Sequence, residues 1–317
     1  MDTVQTLEHN EPYHIPALLP QVLEGLDVRP GGVYVDCTLG GGGHTREILA
    51  RLDLAQGARL LSFDQDADAI ARAGSDPALS GNAAFTAVYG NFRYLRNFLR
   101  FYGVEAVDGI LADLGVSFHH FDDPGRGFSF RWEGPLDMRM NARAATDAAA
   151  LVNTAEADRL EEIFRLYGEL PQARRLARAV ADAARRQPVA SVEQLLDIVR
   201  PLINPRREKK ELAQVFQALR IEVNDEIGAL RALLVQSLKA LKPGGRLAVI
   251  TYHSLEDRLV KNFMKSGNLE GRVEKDFYGR VLSPLKLLNS KAIVPDEAEI
   301  GRNPRSRSAK LRIAQKL

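Results

Sequence analysis

The sequence predicts an α/β fold of the Rossmann-like kind, with an all-helical segment inserted into the sheet domain. The β-rich run Val33–Asp36 is followed by the glycines Gly40–Gly43 and then by a helical pattern that begins at His44. Two later apolar runs also end in a carboxylate, at Asp64 and Asp113. Strand patterns stop in the middle of the chain and resume near its end, so the helical segment lies inside the α/β domain.

The glycine run is typical of the first turn of a nucleotide-binding sheet, where the ligand lies over a helix N-terminus. Glycine adopts backbone angles closed to other residues and lets a ligand approach the main chain. Thr45 stands where the dinucleotide fingerprint has its third glycine, which disfavours an NAD-binding site. Asp36, at the end of the preceding strand, suits a cofactor with an amino group, such as S-adenosylmethionine. A glycine-rich turn without a ligand is the alternative for this stretch alone.

Composition narrows the class of protein. The chain has 317 residues, with 45% hydrophobic and 26% charged residues, which is ordinary for a soluble globular protein of one large or two smaller domains. The net charge of +2 implies no partner by itself. Cys37 is the single cysteine, which excludes an internal disulfide and cysteine-based zinc clusters. The polar start of the chain lacks the features of a secretory signal, and no apolar run is long enough to span a bilayer, so we expect a cytoplasmic protein. We also expect no metal site.

Residues at the carboxyl ends of the predicted strands are the candidate ligand contacts. Asp64 ends the second strand at the spacing of an acidic residue that binds ribose hydroxyls, although a helix cap is its alternative. Asp66 is expected to cap the next helix. Phe92 begins the helix after the third strand. Its ring could contact adenine or pack in the core, and its position favours neither role. Asp113 ends the fourth strand and therefore points to the same edge as Asp36 and Asp64.

The chain divides into a discontinuous α/β domain, residues 1–117 and 216–317, and a helical domain, residues 118–215. Residues 118–141 are predicted to form a structured loop, and Ser191 opens a capping box for a later helix. The insertion is either a lid or a substrate-recognition unit. The fifth strand, Arg246–Thr251, leads to His253, which is either a catalytic group or a hydrogen-bonding structural residue. A hydrolase is disfavoured because no G-x-S-x-G elbow surrounds Ser254.

Basic residues cluster in the insertion and in the tail, and we expect them to bind RNA backbone, with a solvated face as the alternative. They are Arg174, Arg175, Arg178, Arg185, Arg186, Arg206, Arg207, Lys209 and Lys210 of the insertion, and Arg302, Arg305 and Arg307 of the tail.

Eight motifs in this order resemble the ribosomal small-subunit RNA methyltransferase H family, also called MraW. They are His14-Ile-Pro-Ala-Leu-Leu, Asp36-Cys-Thr-Leu-Gly-Gly-Gly-Gly-His44, Asp113-Leu-Gly-Val-Ser117, Arg126-Gly-Phe-Ser-Phe130, Gly134-Pro-Leu-Asp-Met-Arg-Met140, Phe216-Gln-Ala-Leu-Arg-Ile221, His253-Ser-Leu-Glu-Asp-Arg258 and Asn303-Pro-Arg-Ser-Arg-Ser-Ala-Lys-Leu-Arg312.

The resemblance implies a class I S-adenosylmethionine-dependent methyltransferase sheet and methylation of the exocyclic N4 amine of a cytidine in 16S rRNA. It implies that the partner is 16S rRNA in an assembled or nearly assembled small subunit, and that the enzyme is a monomer or a homodimer. The implied cofactor contacts are Gly42, Gly43, His44, Asp64, Phe92, Asp113 and the position of His120. His120 replaces a family Gln, and Glu211-Leu-Ala-Gln-Val215 replaces the family's His-Pro-Ala-Thr-Arg.

The implied reaction is direct displacement of the sulfonium methyl group by the cytosine amine. Asp113 or a nearby carbonyl would accept hydrogen bonds from the amine, and His253 would be the base or would orient its loop. A non-catalytic RNA-binding assembly factor with a retained cofactor pocket is the first alternative, and an NAD-dependent enzyme is the second.

Overall fold

The computed structural model describes residues 15–317. His14 of the first motif and the polar start of the chain lie outside the described residues. The strands are β1 (Val33–Asp36), β2 (Arg59–Asp64), β3 (Phe85–Tyr89), β4 (Val107–Asp113), β5 (Leu241–Thr251), β6 (Leu285–Leu287) and β7 (Lys310–Lys316). They form one seven-stranded sheet in the order β3-β2-β1-β4-β5-β7-β6.

The helices flank the sheet or form the insertion. They are α1 (Leu19–Leu26), α2 (Gly43–Leu49), α3 (Ala67–Ser75), α4 (Leu95–Phe101), α5 (Phe118–Asp122), α6 (Ala148–Thr154), α7 (Ala157–Leu166), α8 (Ala173–Arg186), α9 (Val192–Val199), α10 (Glu208–Asn224), α11 (Glu226–Ala240), α12 (Ser254–Ser266) and α13 (Glu297–Arg302). Within the described part of the chain, no helix combines the length and the apolar character needed to cross a membrane.

The sheet confirms the predicted α/β architecture. Strands β1 to β5 pair in parallel, whereas β7 is antiparallel to both β5 and β6. The parallel strands bring Asp36, Asp64 and Asp113 to one edge, as predicted. The turn predicted at residues 242–245 lies within β5, where Leu241 pairs with Val107 and the ladder resumes only at Arg246.

Both faces of the sheet are buried because helices cover each of them. Val35, Leu61 and Phe63 belong to one apolar cluster, which α4, α11 and α12 complete. Tyr34 and Leu60, one position away on the same strands, belong to the opposite cluster with α1 and α2. This period of two makes the strands near-continuous apolar runs, so polar side chains concentrate at their ends.

The insertion has a hydrophobic cluster of its own, built from α6 to α10 and the segment before them. Ser191 caps α9 through the predicted capping box. The predicted boundary between residues 215 and 216 falls inside α10, where Phe216 and Leu219 belong to the helical cluster. α10 is therefore the element through which the helical segment reaches the sheet domain.

Candidate active site

A cavity of about 980 Å³ lies at the carboxyl edge of the parallel strands, between the sheet and the helical segment. Most of its lining comes from the glycine loop, the strand ends, residues 113–132 and α10, and the tail adds Arg305 and Ser308. Predicted site residues on this lining are Gly43, His44, Asp64, Phe92, Asp113, His120 and His253. Gly42 and Asp36 are not among the lining residues.

Gly42 sets the shape of the glycine loop, although it does not line the cavity. Gly42 has φ +77° and precedes α2, so a side chain there would be strained. A Cβ at Gly42 would also lie 3.0 Å from Nη1 of Arg46, which donates to the Gly41 carbonyl at 3.0 Å. Gly42 thus shapes the turn that places Gly41 and Gly43 on the lining.

Asp64 holds the glycine loop through its own carboxylate. Its Oδ2 accepts a hydrogen bond from the Gly40 amide at 2.9 Å, and its Oδ1 accepts one from the Asp66 amide at 2.9 Å. Burial raises the pKa of Asp64, while the two amide donors oppose that shift. Asp64 lines the cavity, and each of its carboxylate oxygens can accept a second hydrogen bond, which is the chemistry that a pair of ribose hydroxyls requires.

Asp36 faces the interior of the fold rather than the cavity. Thr45 Oγ1 donates to its Oδ2 at 2.7 Å, and the Thr38 amide donates to its Oδ1 at 3.0 Å. Burial raises the pKa of Asp36 to about 6. The inference that Asp36 would bind a cofactor amino group is therefore wrong for this geometry, because its carboxylate is used to tie β1 to α2. Thr45, which breaks the dinucleotide fingerprint, is the residue that makes this tie.

Asp113 and its neighbours form the most perturbed part of the site. Burial, together with the nearby charges of Asp36 and Glu256, raises the pKa of Asp113 to about 7. The Tyr252 hydroxyl donates to Asp113 Oδ1 at 2.8 Å and opposes the rise. His44 Nδ1 lies 3.7 Å from Asp113 Oδ2, and His44 Nε2 lies 3.0 Å from the Ala17 carbonyl. A carboxyl group that titrates near neutrality in a cavity can exchange a proton there.

His120 lies on a short helix, α5, in the stretch predicted to be a loop. Its Nε2 lies 2.8 Å from Asp66 Oδ2, and its ring stacks on Phe128 at 5.0 Å between centroids. Burial raises the pKa of Asp66, but the His120 contact and nearby Arg126 outweigh it, so the net shift is downward. Asp66 also caps α3 as predicted, through the Asp68 amide. The family's Gln position thus carries a ring held by Asp66 at the cavity wall.

Phe92 packs in the core as predicted, and its adenine contact stays a prediction. It begins a 3-10 turn at the end of β3, lines the cavity and packs against the apolar cluster behind the sheet. Asn91 fixes this turn, because its Oδ1 accepts from the Arg93 amide and its Nδ2 donates to Gln65 Oε1 at 2.9 Å.

The wall opposite the sheet is aromatic and cationic. Phe130 meets Phe216 edge to face at 5.6 Å, and Trp132 is half exposed at the same wall. Lys209 and Arg220, both on α10, also line the cavity. These aromatics and Tyr252 were not predicted as site residues. Phe130 and Phe216 lie in the motif runs 126–130 and 216–221, and Tyr252 directly follows β5, which are the signals that could have found them.

The tail approaches the cavity through Arg305. Its guanidinium forms a bidentate pair with Asp122, with Nη2 to Oδ1 at 2.8 Å and Nη1 to Oδ2 at 3.0 Å. The pair joins the tail to the start of the insertion, so Arg305 has a structural contact besides the RNA role predicted for it. Arg302 and Arg307 are exposed.

Comparison with known proteins gives one consistent result. The Ribosomal RNA small subunit methyltransferase H of Bacteroides thetaiotaomicron is 59% identical over 96% of this chain and 97% of its own length. The protein of the same name from Phocaeicola vulgatus is 59% identical over 98% of this chain and 99% of its own. Among solved structures, an rRNA methylase from Streptococcus thermophilus aligns at 14% identity with a TM-score of 0.38, over 94% of this chain and 93% of that one.

The family model described as the MraW methylase family matches residues 11–317. This match covers the sheet, the insertion and the tail together. The chain belongs to the MraW methylase family.

Proposed function

We propose that this protein transfers a methyl group from S-adenosylmethionine to the exocyclic N4 amine of a cytidine in 16S rRNA of the small ribosomal subunit. The observation that carries the proposal is the pairing of two unlike walls around one cavity. Asp64, Asp113 and the glycine loop form one wall, and aromatic and cationic side chains form the other. The names of the relatives, small-subunit rRNA methyltransferases, support the substrate class.

The sheet wall fits the proposed cofactor. Asp64 offers carboxylate lone pairs for ribose hydroxyls, and Phe92 offers a ring face beside it for adenine. Gly41 and Gly43 expose main chain without side chains, and His44 with Asp113 presents polar atoms at the far side. When bound, S-adenosylmethionine supplies an electrophilic methyl group attached to a positively charged sulfur.

Asp113 is the proposed proton acceptor. The cytosine amine is a poor nucleophile because its lone pair is delocalised into the ring, so a hydrogen bond from its N–H to a carboxylate increases its electron density. Tyr252 holds Asp113 Oδ1 at 2.8 Å, which leaves Oδ2 for the amine. A pKa of about 7 allows Asp113 to accept the proton released by the amine and return it to water. His253 is proposed as a positioning residue of the loop after β5 rather than as the base.

The helical wall is proposed to receive the RNA. A base must leave its stack to reach a buried acceptor, and stacked aromatics such as Phe130 and Trp132 compensate for the lost stacking. Lys209 and Lys210 are exposed at the start of α10 and form no ion pair within residues 15–317, so they are available for phosphates. Such contacts do not read sequence, and the target would be selected by the shape of the folded RNA in the subunit.

The test is methyl transfer from labelled S-adenosylmethionine to unmodified small subunits, followed by mass-spectrometric mapping of the modified nucleotide. The expected product is one N4-methylated cytidine in 16S rRNA. Label on another base or on protein would contradict the substrate assignment. Tight binding to subunits with no label transferred would favour the non-catalytic assembly factor instead.

A further inference from the structure

Three side chains beside the cavity converge without a common explanation in the proposed reaction. His253 follows β5, Glu256 lies in the first turn of α12, and Glu226 begins α11. One ligand atom from each lies within 4.8 Å of the other two. All three are largely buried: the side chains of His253, Glu256 and Glu226 are 9%, 3% and 11% exposed.

The histidine at this cluster lies beside a carboxylate in poor hydrogen-bonding geometry. His253 Nε2 lies 3.2 Å from Glu256 Oε1, a contact that lowers the pKa of Glu256, yet neither buried ring nitrogen makes a well-aligned hydrogen bond among the described residues. Buried polar nitrogens are normally satisfied. Two ligands bonded to one ion at the usual lengths of zinc sites lie about 3.0–3.4 Å apart, so the observed separation fits two ligands of one metal as well as a direct ion pair.

The surroundings of the carboxylates resemble an outer coordination shell. Arg220 forms a bidentate pair with Glu226, in which Nε donates to Oε1 at 2.8 Å and Nη2 donates to Oε2 at 3.0 Å. The Tyr252 amide donates to Glu256 Oε2 at 3.0 Å, which leaves Oε1, the oxygen beside His253, free of that bond. Ligating carboxylates are commonly oriented by such second partners. Two carboxylates and one guanidinium leave a net negative charge that a divalent cation would reverse.

We propose that Glu226, His253 and Glu256 form a binding site for a divalent transition-metal ion of the Mn²⁺ or Zn²⁺ class. One imidazole and two carboxylates are a nitrogen and oxygen donor set that suits these ions and not the thiolate-seeking ones. Three protein ligands leave coordination positions open, and His253 and Arg220 both face the cavity. The site is separate from the proposed cofactor contacts on Asp64 and Phe92, and it stands whether or not the chain methylates RNA.

The test uses the full chain, stripped of metal with a chelator. Mn²⁺ is titrated in and followed by electron paramagnetic resonance, and Zn²⁺ binding is measured by calorimetry. One ion should bind per chain, and electron spin echo modulation should show coupling to an imidazole ¹⁴N. E226Q, E256Q and H253A should each weaken binding by at least ~10–100-fold, the range that loss of outer partners alone produces. H253A should also abolish the nitrogen coupling.

E222Q is the matched control, because Glu222 is likewise paired with an arginine, Arg159, but lies outside the cluster. It should bind Mn²⁺ like the parent. E226Q keeps the side-chain volume and can still bond Arg220, so it carries the test if H253A does not fold. The proposal is overturned if the parent binds neither ion, in which case the cluster is a closed charge network. It is equally overturned if a folded E226Q, E256Q or H253A protein binds either ion as tightly as the parent, or if the nitrogen coupling survives in folded H253A.

Discussion

The two walls of the cavity differ in how their polar groups are held. On the sheet wall, Asp64 is hydrogen-bonded to two main-chain amides, and Asp113 is bonded to Tyr252. On the helical wall, Trp132 and Lys209 project from a loop and a helix start and are exposed. A wall whose polar groups are already held in place suits a small ligand of constant shape. An exposed cationic wall suits a large polyanion that is itself folded. The difference supports the proposed division, with cofactor on the sheet wall and RNA on the helical wall.

Asp113→Asn should produce the largest effect, because it removes the proposed proton acceptor while preserving the side-chain volume. Loss of a positioned acid–base group lowers rates by roughly 10²–10⁴-fold, and we expect that loss in single-turnover methyl transfer. Asp108→Asn, at the other end of β4, is the control and should retain most of the rate. An Asp113→Asn variant that is as fast as the parent would mean that the acceptor lies elsewhere.

Asp64→Asn should weaken S-adenosylmethionine binding and leave RNA binding unchanged. Loss of a charged hydrogen-bond partner costs about 1.5–3 kcal/mol, or roughly 10–150-fold in the calorimetric Kd. Because Asp64 also holds the Gly40 amide, part of this loss would come from the loop. Asp53→Asn controls for a lost carboxylate cap at the opposite edge of the sheet. Equal cofactor affinity in parent and Asp64→Asn would remove Asp64 from the cofactor site.

Lys209→Ala combined with Lys210→Ala should weaken RNA binding and leave cofactor affinity unchanged. Each lost phosphate contact flattens the dependence of log K on log salt by about 0.7–0.9, so the slope should fall by about 1.4–1.8. Arg305→Ala should flatten it less, because Arg305 is already paired with Asp122. Filter binding to small subunits across a salt series measures both. If the double variant keeps the parent's slope, the start of α10 does not touch RNA.

The pH dependence follows from the pKa of Asp113, which burial raises to about 7. The acceptor works only when ionised, so the single-turnover rate should fall as pH drops through about 7 and level off above it. Tyr252→Phe removes the hydrogen bond that lowers this pKa, so its profile should move to higher pH. A Tyr252→Phe profile that stays in place or moves to lower pH would show that another group controls the rate.

Cys37→Ala should have the smallest effect. Burial raises the pKa of the Cys37 thiol well above its ordinary value, with the nearby Asp36 charge adding to it, so the thiol stays protonated and unreactive. Methyl transfer should be retained, with a stability loss on the order of 1 kcal/mol. A folded Cys37→Ala protein that binds cofactor but transfers no methyl group would overturn this expectation.

Local pattern predicted the sheet well and the contacts between distant segments poorly. The short, largely apolar run in Arg59–Asp64 and the spacing of Asp64 from Gly40 are local properties, so β2 and its terminal carboxylate were predictable. The helix that carries His120 spans only Phe118–Asp122, too few residues to show a helical period.

The partners of the site residues are long-range and leave no local signal. His120 meets Asp66, which is 54 positions away, and Tyr252 meets Asp113 across 139 positions. The inward orientation of Asp36 depended on Thr45 and Ser62, whose hydroxyls lie 2.9 Å apart behind the glycine loop. The domain boundary placed inside α10 shows the same limit, because one continuous helix contributes to both the helical core and the cavity.

Hydrogen–deuterium exchange of the native chain tests the division between the two walls most directly. S-adenosylmethionine should slow amide exchange in peptides covering residues 37–44, 64–66 and 90–93 and leave residues 206–220 unchanged. Unmodified small subunits should protect residues 206–220 instead. Cofactor-induced protection of residues 206–220 as strong as that of the glycine loop would contradict the division, because the helical wall would then belong to the cofactor site.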